Sequence, residues 1–231
     1  MRVLGIETSN PILSAALLDG NEIIAERAEE TGMKHSSHLV PMIDEILKKC
    51  DLSLNEIDGI AVSNGPGSFT GLRVGVTTAK ALAIAVNKPL VAVSSLIVLA
   101  ESVSCVDEKI CTLIDAKRNR VYIALFVWER NKLKRLVKDS LMLIDDIHKI
   151  KELSGKVLFI GDGAGLYKDK IQDCAKVKVL FPEKLLNYPQ AGFVAKLGLA
   201  ALKKGKHSDP YKLTPTYLYP KTCSIKKRQK K

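Results

Sequence analysis

The sequence predicts an α/β protein of two subdomains that meet near residues 100–108. Three observations carry this reading. Strand-like runs joined by tight turns open the chain, helical and strand-like runs then alternate, and a comparable succession begins again after residue 108. A chain of 231 residues suits one large domain or two small ones. With 46% apolar and 26% charged residues it has enough apolar surface to form a core, which excludes a largely disordered chain.

The elements follow in order. RVLGIE at 2–7 is a short apolar run of the buried-strand type, and ILSAALL at 12–18 is a second. Residues 22–28 alternate loosely and make a third strand, with SNP and DGN as the turns of an antiparallel meander. A helix is expected at 37–50, capped by Ser36 or Ser37, with Pro41 in or just past its first turn. It carries two apolar lines, one of Leu39, Met42, Ile46 and Cys50, the other of Val40, Ile43 and Leu47. That is wider than one core-facing stripe requires, so one line is free for a partner. DGIAVS at 58–63 is a strand, and Asn64-Gly65-Pro66-Gly67-Ser68 leads into a helix over 69–86. Gly71, Gly75 and Ala79 stand four apart on that helix. Each glycine costs about 1 kcal/mol relative to alanine, so the stripe calls for a closely packed neighbour. A strand near 90–93 and a helix near 95–104 complete the first part.

The second part has strands at 110–114, 120–128 and 132–137, a helix near 143–150, a strand at 156–160, the loop 161–165, and a last helix over 190–204. Residues 210–220 are extended and rich in tyrosine and proline. The lobes are therefore set at 1–104 and 105–220, and residues 221–231 form a basic tail expected to lack fixed structure.

Charge is distributed unevenly. Residues 1–108 carry 8 basic and 14 acidic side chains, whereas 109–231 carry 28 and 11. The final KTCSIKKRQKK holds six positive residues and no acid, and a second basic stretch lies at 117–138. Such a half attracts polyanions through their phosphates. Few aromatics interleave with these charges, which argues against base stacking. Five widely spaced cysteines without a C-x-x-C pattern exclude a disulfide framework or a zinc knuckle. No run approaches the roughly 18–20 apolar residues of a spanning helix. The start of the chain turns polar too early for a secretory signal, so a cytoplasmic protein with no membrane contact is expected.

Two glycine loops follow strands. Gly65-Pro66-Gly67 could hold an anion at a helix start, but Thr70 breaks the dinucleotide pattern and no Gly-Lys-Ser/Thr follows. Gly161-Asp162-Gly163 fails likewise, with Leu166 at the sixth position. For both loops a tight-turn role stands beside an anion role. His35 and His38 are three apart with no acidic third ligand nearby in sequence, which favours a surface pair over a metal site. No G-x-S-x-G elbow is present.

GIETSNPILSAAL at 5–17 and NGPGSFTGLRVGVTTAKALA at 64–83 resemble the bacterial TsaB (YeaZ) family. KHSSHLVPMIDEIL, SSLIVLA, DAKRNRVYIALF, GDGAG and PTYLYPK extend the resemblance over nearly the whole chain, although the basic tail is foreign to it. The resemblance implies a two-lobed actin-like, hsp70-like ATPase fold with a degenerate nucleotide site. It implies a non-catalytic dimerisation subunit that binds and activates TsaD, a metal-bearing transferase of similar fold. With the ATPase TsaE, these proteins form N6-threonylcarbamoyladenosine in tRNA beside the anticodon. ATP and a metal ion are then expected on partner subunits and none on this chain alone.

In that fold two hairpin turns grip the phosphates. Here they are Glu7-Thr8-Ser9 and Asp115-Ala116-Lys117-Arg118, the second without glycine. The vestigial nucleotide set is Glu7, Thr8, Ser9, Gly65, Gly67, Asp115, Gly161 and Gly163. The family's interface is a bundle of two helices from each subunit's first lobe. On this chain it assigns Leu39, Met42, Ile43, Ile46, Leu72, Arg73, Val76 and Lys80 to the partner, or to a second copy when the chain is alone. Contact with tRNA is expected indirectly or through the basic half. The alternative is an autonomous actin-fold ATPase or small-molecule kinase.

Overall fold

The computed structural model describes residues 1–30, 35–103, 105–182 and 187–219. Two five-stranded sheets organise them. The first contains β1 (Arg2–Glu7), β2 (Ile12–Asp19), β3 (Glu22–Glu30), β4 (Gly59–Gly65) and β5 (Leu90–Ser94) in the order β3-β2-β1-β4-β5. The second contains β6 (Lys109–Asp115), β7 (Arg120–Glu129), β8 (Lys132–Leu143), β9 (Lys156–Ile160) and β10 (Lys178–Leu180) in the order β8-β7-β6-β9-β10. Each is a three-stranded antiparallel meander extended by two parallel strands. Ile6 faces Ala15 across the first meander and Val62 across the parallel pair. In the second sheet, Thr112 faces Ala124 and Ile160 in the same way.

The helices are α1 (His35–Lys49), α2 (Phe69–Ala85), α3 (Ser95–Glu101), α4 (Asp162–Leu166), α5 (Lys168–Cys174) and α6 (Ala191–Leu202). Helices α1 and α2 cover one face of the first sheet, packing on Leu4, Ile6, Leu13 and Leu17. Residues 143–150, expected as an α-helix, form the tighter 3-10 helix Ile144–Lys149, whose Ile144 and Ile147 join the core of the second lobe. Helix α1 begins two residues earlier than expected, so Pro41 lies inside it, on the exposed side.

The remaining two sheet faces are covered crosswise. Helix α3 follows the last strand of the first sheet, yet its Leu96 and Leu99 pack on Tyr122, Ala124 and Phe126 of the second. Helix α6 follows the last strand of the second sheet, yet its Val194, Ala195 and Leu199 pack on Val3, Leu18 and Ala61 of the first. A division of the chain at residue 104 does not describe this packing, because α6 lies within 105–220 and completes the first lobe. The approach is close. A Cβ on Gly5 would strike the Ala191 carbonyl and Ala195, and one on Gly198 would strike Ala61. With Lys196 as its one charged residue, α6 is apolar nearly all round, as a helix held inside a protein should be.

The segment after α6 crosses both lobes. Ser208 N donates to Leu90 O (2.7 Å) and Thr216 N to Asn64 O (2.7 Å) in the first, while Tyr219 donates to Ala116 O (2.5 Å) in the second. Ser94 Oγ also joins the lobes, donating to Asp139 Oδ2 (2.5 Å). Residues 221–231, the expected basic tail, lie outside the described residues. Among the described residues no helix is long and apolar enough to cross a membrane.

Burial on α1 sets a first prediction. Leu39 is 0% exposed and its neighbour Val40 is 53% exposed. Leu39→Ala should cost about 2–5 kcal/mol in urea unfolding, through lost transfer energy plus a cavity. Val40→Ala should stay within about 0.5 kcal/mol.

Candidate functional site

A cavity of about 530 Å³ lies between the lobes. The first lobe contributes the turn Ser9–Asn10–Pro11 after β1, His35 at the start of α1, and Gly67–Ser68–Phe69 entering α2. The second contributes the end of β6 with Asp115, Ala116 and Lys117, then Tyr122, Asp162, Asn187, Tyr188 and Pro189.

The first turn is closed upon itself. Glu7, Thr8 and Ser9 are buried, and Glu7 Oε1 accepts from Ser9 N at 2.5 Å. Glu7 Oε2, Thr8 Oγ1 and Ser9 Oγ have no hydrogen-bond partner among the described residues. Burial raises the Glu7 pKa above its ordinary value of 4.5, against the lowering effect of the neighbouring polar groups of Ser9, Ser63 and Thr8. Helix α2 sits directly on this turn. A Cβ on Gly67 would overlap Ser9 O, and Cβ atoms on Gly71 and Gly75 would overlap Thr8 O and Thr8 Oγ1. The close neighbour that the glycine stripe calls for is thus Thr8 of the same chain. Two donors at the start of α2 are used locally. Ser68 N donates to Ser9 O (2.7 Å), and Gly71 N donates to Ser68 Oγ (3.2 Å). Of the two readings of Gly65-Pro66-Gly67, the structure shows the close-packed turn. Gly65 itself lies against Thr216 O and Leu72, away from the cavity.

The second turn is closed by ion pairing. Asp115 is 4% exposed. Its Oδ1 accepts from Lys117 N (2.9 Å) and the Tyr167 hydroxyl (3.2 Å), and its Oδ2 lies 2.6 Å from Lys117 Nζ. The Asp115 carboxylate raises the Lys117 pKa by hydrogen bond and charge. Lys117, Arg118 and Asn119 all have left-handed backbones, with φ of 63°, 54° and 62°. Asp162 Oδ1 accepts from Asp115 N (3.1 Å) and Gly163 N (2.9 Å), and burial raises its pKa. Gly161 and Gly163 pack on the Leu113 backbone instead of opening onto the cavity. Gly161 has a φ of 100°, a conformation that suits glycine.

These residues do not fit a metal–nucleotide complex. Both oxygens of Asp115 are held by Lys117 and Tyr167. Among the described residues no three His, Cys, Asp or Glu side chains are grouped to hold a metal ion. Of the expected nucleotide set, Ser9, Gly67 and Asp115 line the cavity, whereas Glu7, Thr8, Gly65, Gly161 and Gly163 lie behind or beside it. The two histidines diverge. His35 Nε2 is 2.9 Å from Asn10 O, and His38 Nδ1 is 3.4 Å from Glu29 Oε1.

Six of the eight residues assigned to a partner need correction. Leu39, Met42, Ile43, Ile46, Leu72 and Val76 are at most 3% exposed and fill the core of their own lobe. Most of both apolar lines of α1 is consumed, because the helix packs on the sheet with α2 at its side, and Val40 alone of the two lines stays exposed. Arg73 is exposed, stacks 3.8 Å over the Phe69 ring, and donates from Nε to the Tyr217 hydroxyl (3.2 Å). Lys80 donates to Leu213 O (2.9 Å). The large apolar residues these helices leave in solvent are Val40, Phe69 and Ile84, at 53%, 54% and 42% exposure. Several charges of the basic stretch are paired, Lys134 with Glu129 and Arg135 with Asp139.

Comparison with known proteins gives a consistent result. Residues 22–226 match the model of the TsaD family, tRNA N6-adenosine threonylcarbamoyltransferase. The chain is 36% identical over 219 residues to the tRNA threonylcarbamoyladenosine biosynthesis protein TsaB of Bacillus subtilis, covering 94% of each. Among solved structures, YeaZ from Pseudomonas aeruginosa superposes with a TM-score of 0.79 at 24% identity, over 94% of this chain and 99% of that one. The ethanolamine utilization protein EutJ from Carboxydothermus hydrogenoformans superposes at 0.52 with 11% identity, over 84% and 90%. The two-lobed actin-like α/β fold is therefore shown.

Glu7 supplies a prediction with a definite sign. Its folded pKa exceeds the unfolded value, so the native state binds the extra proton. The group's contribution is fully present below about pH 4.5 and is lost as pH rises through the folded pKa. Glu7→Gln, which cannot ionise, should match the wild type in acid and exceed its melting temperature once the pH has risen through the folded pKa. Thermal unfolding of both proteins from pH 4 to 8 checks this.

Proposed function

The chain belongs to the TsaB family of tRNA threonylcarbamoyladenosine biosynthesis proteins, and from that premise we propose that it is a non-catalytic subunit that binds and activates a TsaD-type transferase. One observation carries the proposal. Both turns that would face phosphate turn polar groups inward, Ser68 N to Ser9 O and both Asp115 oxygens to Lys117 and Tyr167, while α1 and α2 turn Val40, Phe69 and Ile84 to solvent. A scaffold so arranged lacks the electrostatic preorganisation that phosphoryl chemistry requires. In this proposal ATP and a metal ion reside on partner subunits. A TsaE-like ATPase joins the assembly, and a second copy of the chain occupies the same helices through a two-fold axis when the transferase is absent. Contacts with tRNA run through phosphates to the basic half, and the assembly works in the cytoplasm.

The surface to test is the outward one. Aspartate at Val40 or Ile84 places a charge where a partner would desolvate it, without touching the core. Val40→Asp and Ile84→Asp should weaken the complex with the cognate transferase about tenfold or more, with melting temperatures near wild type. Light scattering after gel filtration, beside a tRNA modification assay, reads both effects. The proposal fails if the wild-type chain forms no complex and modification proceeds equally without it. Calorimetric titration of the chain alone with Mg-ATP addresses the ATPase alternative. Micromolar binding with phosphate release would favour that reading.

A further inference from the structure

The lining of the cleft between the lobes offers groups for a ligand other than a phosphate chain. Asp115 and Asp162 stand with Lys117 in its lining, two carboxyl groups to one ammonium. Lys117 is already held by Asp115 at 2.6 Å. Asp162 receives both backbone donors on Oδ1, and its Oδ2 makes no hydrogen bond among the described residues. Phe69, Tyr122 and Tyr188 add aromatic rings to the lining, and Ile114, Pro11 and Pro189 are apolar. The Tyr122 ring is fixed edge-on against Tyr219, with centroids 6.2 Å apart. Its phenol is pushed up to about 12 by burial and by Tyr219, so the ring stays neutral. Aromatic faces attract cations, most strongly where water is excluded. The volume of about 530 Å³ is that of a small-molecule site.

We propose that the cleft between the lobes binds an organic monocation, an ammonium or amidinium group on an apolar body, with the Asp162 carboxylate as counter-ion and Tyr122 and Tyr188 as walls. Two sources can supply that chemistry. One is a free small molecule. The other is a basic side chain of residues 220–231, since the described chain ends at Tyr219, whose hydroxyl bonds Ala116 O at the rim of the cavity.

Isothermal titration with benzamidinium chloride tests the site, with benzamide and benzoate as neutral and anionic analogues of the same shape. On the full chain, or on the full chain with Lys221, Lys226, Lys227, Arg228, Lys230 and Lys231 changed to glutamine, benzamidinium should bind at least about tenfold tighter than either analogue. Asp162→Asn should bring benzamidinium down to the level of benzamide. Tyr188→Leu should weaken benzamidinium severalfold, and it serves if the Asp162 variant does not fold. Tighter binding after neutralising the tail identifies the tail as the occupant, and equal binding identifies a free ligand. The proposal is overturned if benzamidinium binds no tighter than benzamide to both chains. It is equally overturned if the discrimination survives Asp162→Asn, or if Asp162→Asn does not fold and Tyr188→Leu binds benzamidinium as the wild type does.

Discussion

The end of β1 and the start of α2 meet with almost no side chain between them. Gly67, Gly71 and Gly75 let the helix rest on the backbone of Thr8 and Ser9. Much else depends on this contact. It buries Glu7, which makes no ion pair among the described residues, directs Ser68 N to the Ser9 carbonyl, and fixes the first-lobe wall of the cleft. The constraint is steric, because a Cβ at Gly67, Gly71 or Gly75 would overlap Ser9 or Thr8. The second lobe reaches a similar closure by electrostatics, with Lys117 folded back onto Asp115. One turn is shut by contact and the other by charge.

The two lobes repeat one strand order but are not separable pieces of chain. Each gives the helix after its last strand to the other's sheet, α3 in one direction and α6 in the other. Ser94 with Asp139 and the segment 208–219 add polar ties across the same boundary. The interlobe geometry thus rests on apolar cores and on hydrogen bonds together, and the cleft inherits its shape from both.

Much of the fold was legible because local chemistry coded for it. SNP and DGN mark the first meander, and alternating runs mark the later strands. What escaped was non-local. The three-residue strand β10 is too short for any period to register. Pairing order between parallel strands leaves no trace in a single run of residues. The helix pair shows the same limit. Two apolar lines on α1 look like one line too many until α2 is placed beside it, and then every member but Val40 packs into the core. In the site, glycine marks close approach of a backbone but not whether the visitor is phosphate or protein. Ser9 and Asp115, taken from the two hairpin turns, and Gly67, taken from its glycine loop, line the cleft, whereas Phe69, Tyr122, Asp162 and Tyr188 line it without having been singled out as site residues. Asp162 stood in plain view between two glycines. The tyrosines come from distant segments that only the folded chain assembles.

The crossing of α6 has a consequence for biosynthesis. The inner face of the first sheet, with Val3, Leu18, Ala61 and Val91, is covered by a helix made roughly 100–190 residues later. At about 5–20 residues per second, that face waits for several seconds to some tens of seconds on the ribosome as an open greasy plate. Nascent chains stalled before Ala191 would carry a nearly finished first sheet with nothing to shield it. They are the species on which a trigger-type chaperone would act, and the step that releases the finished molecule is the arrival of its last helix.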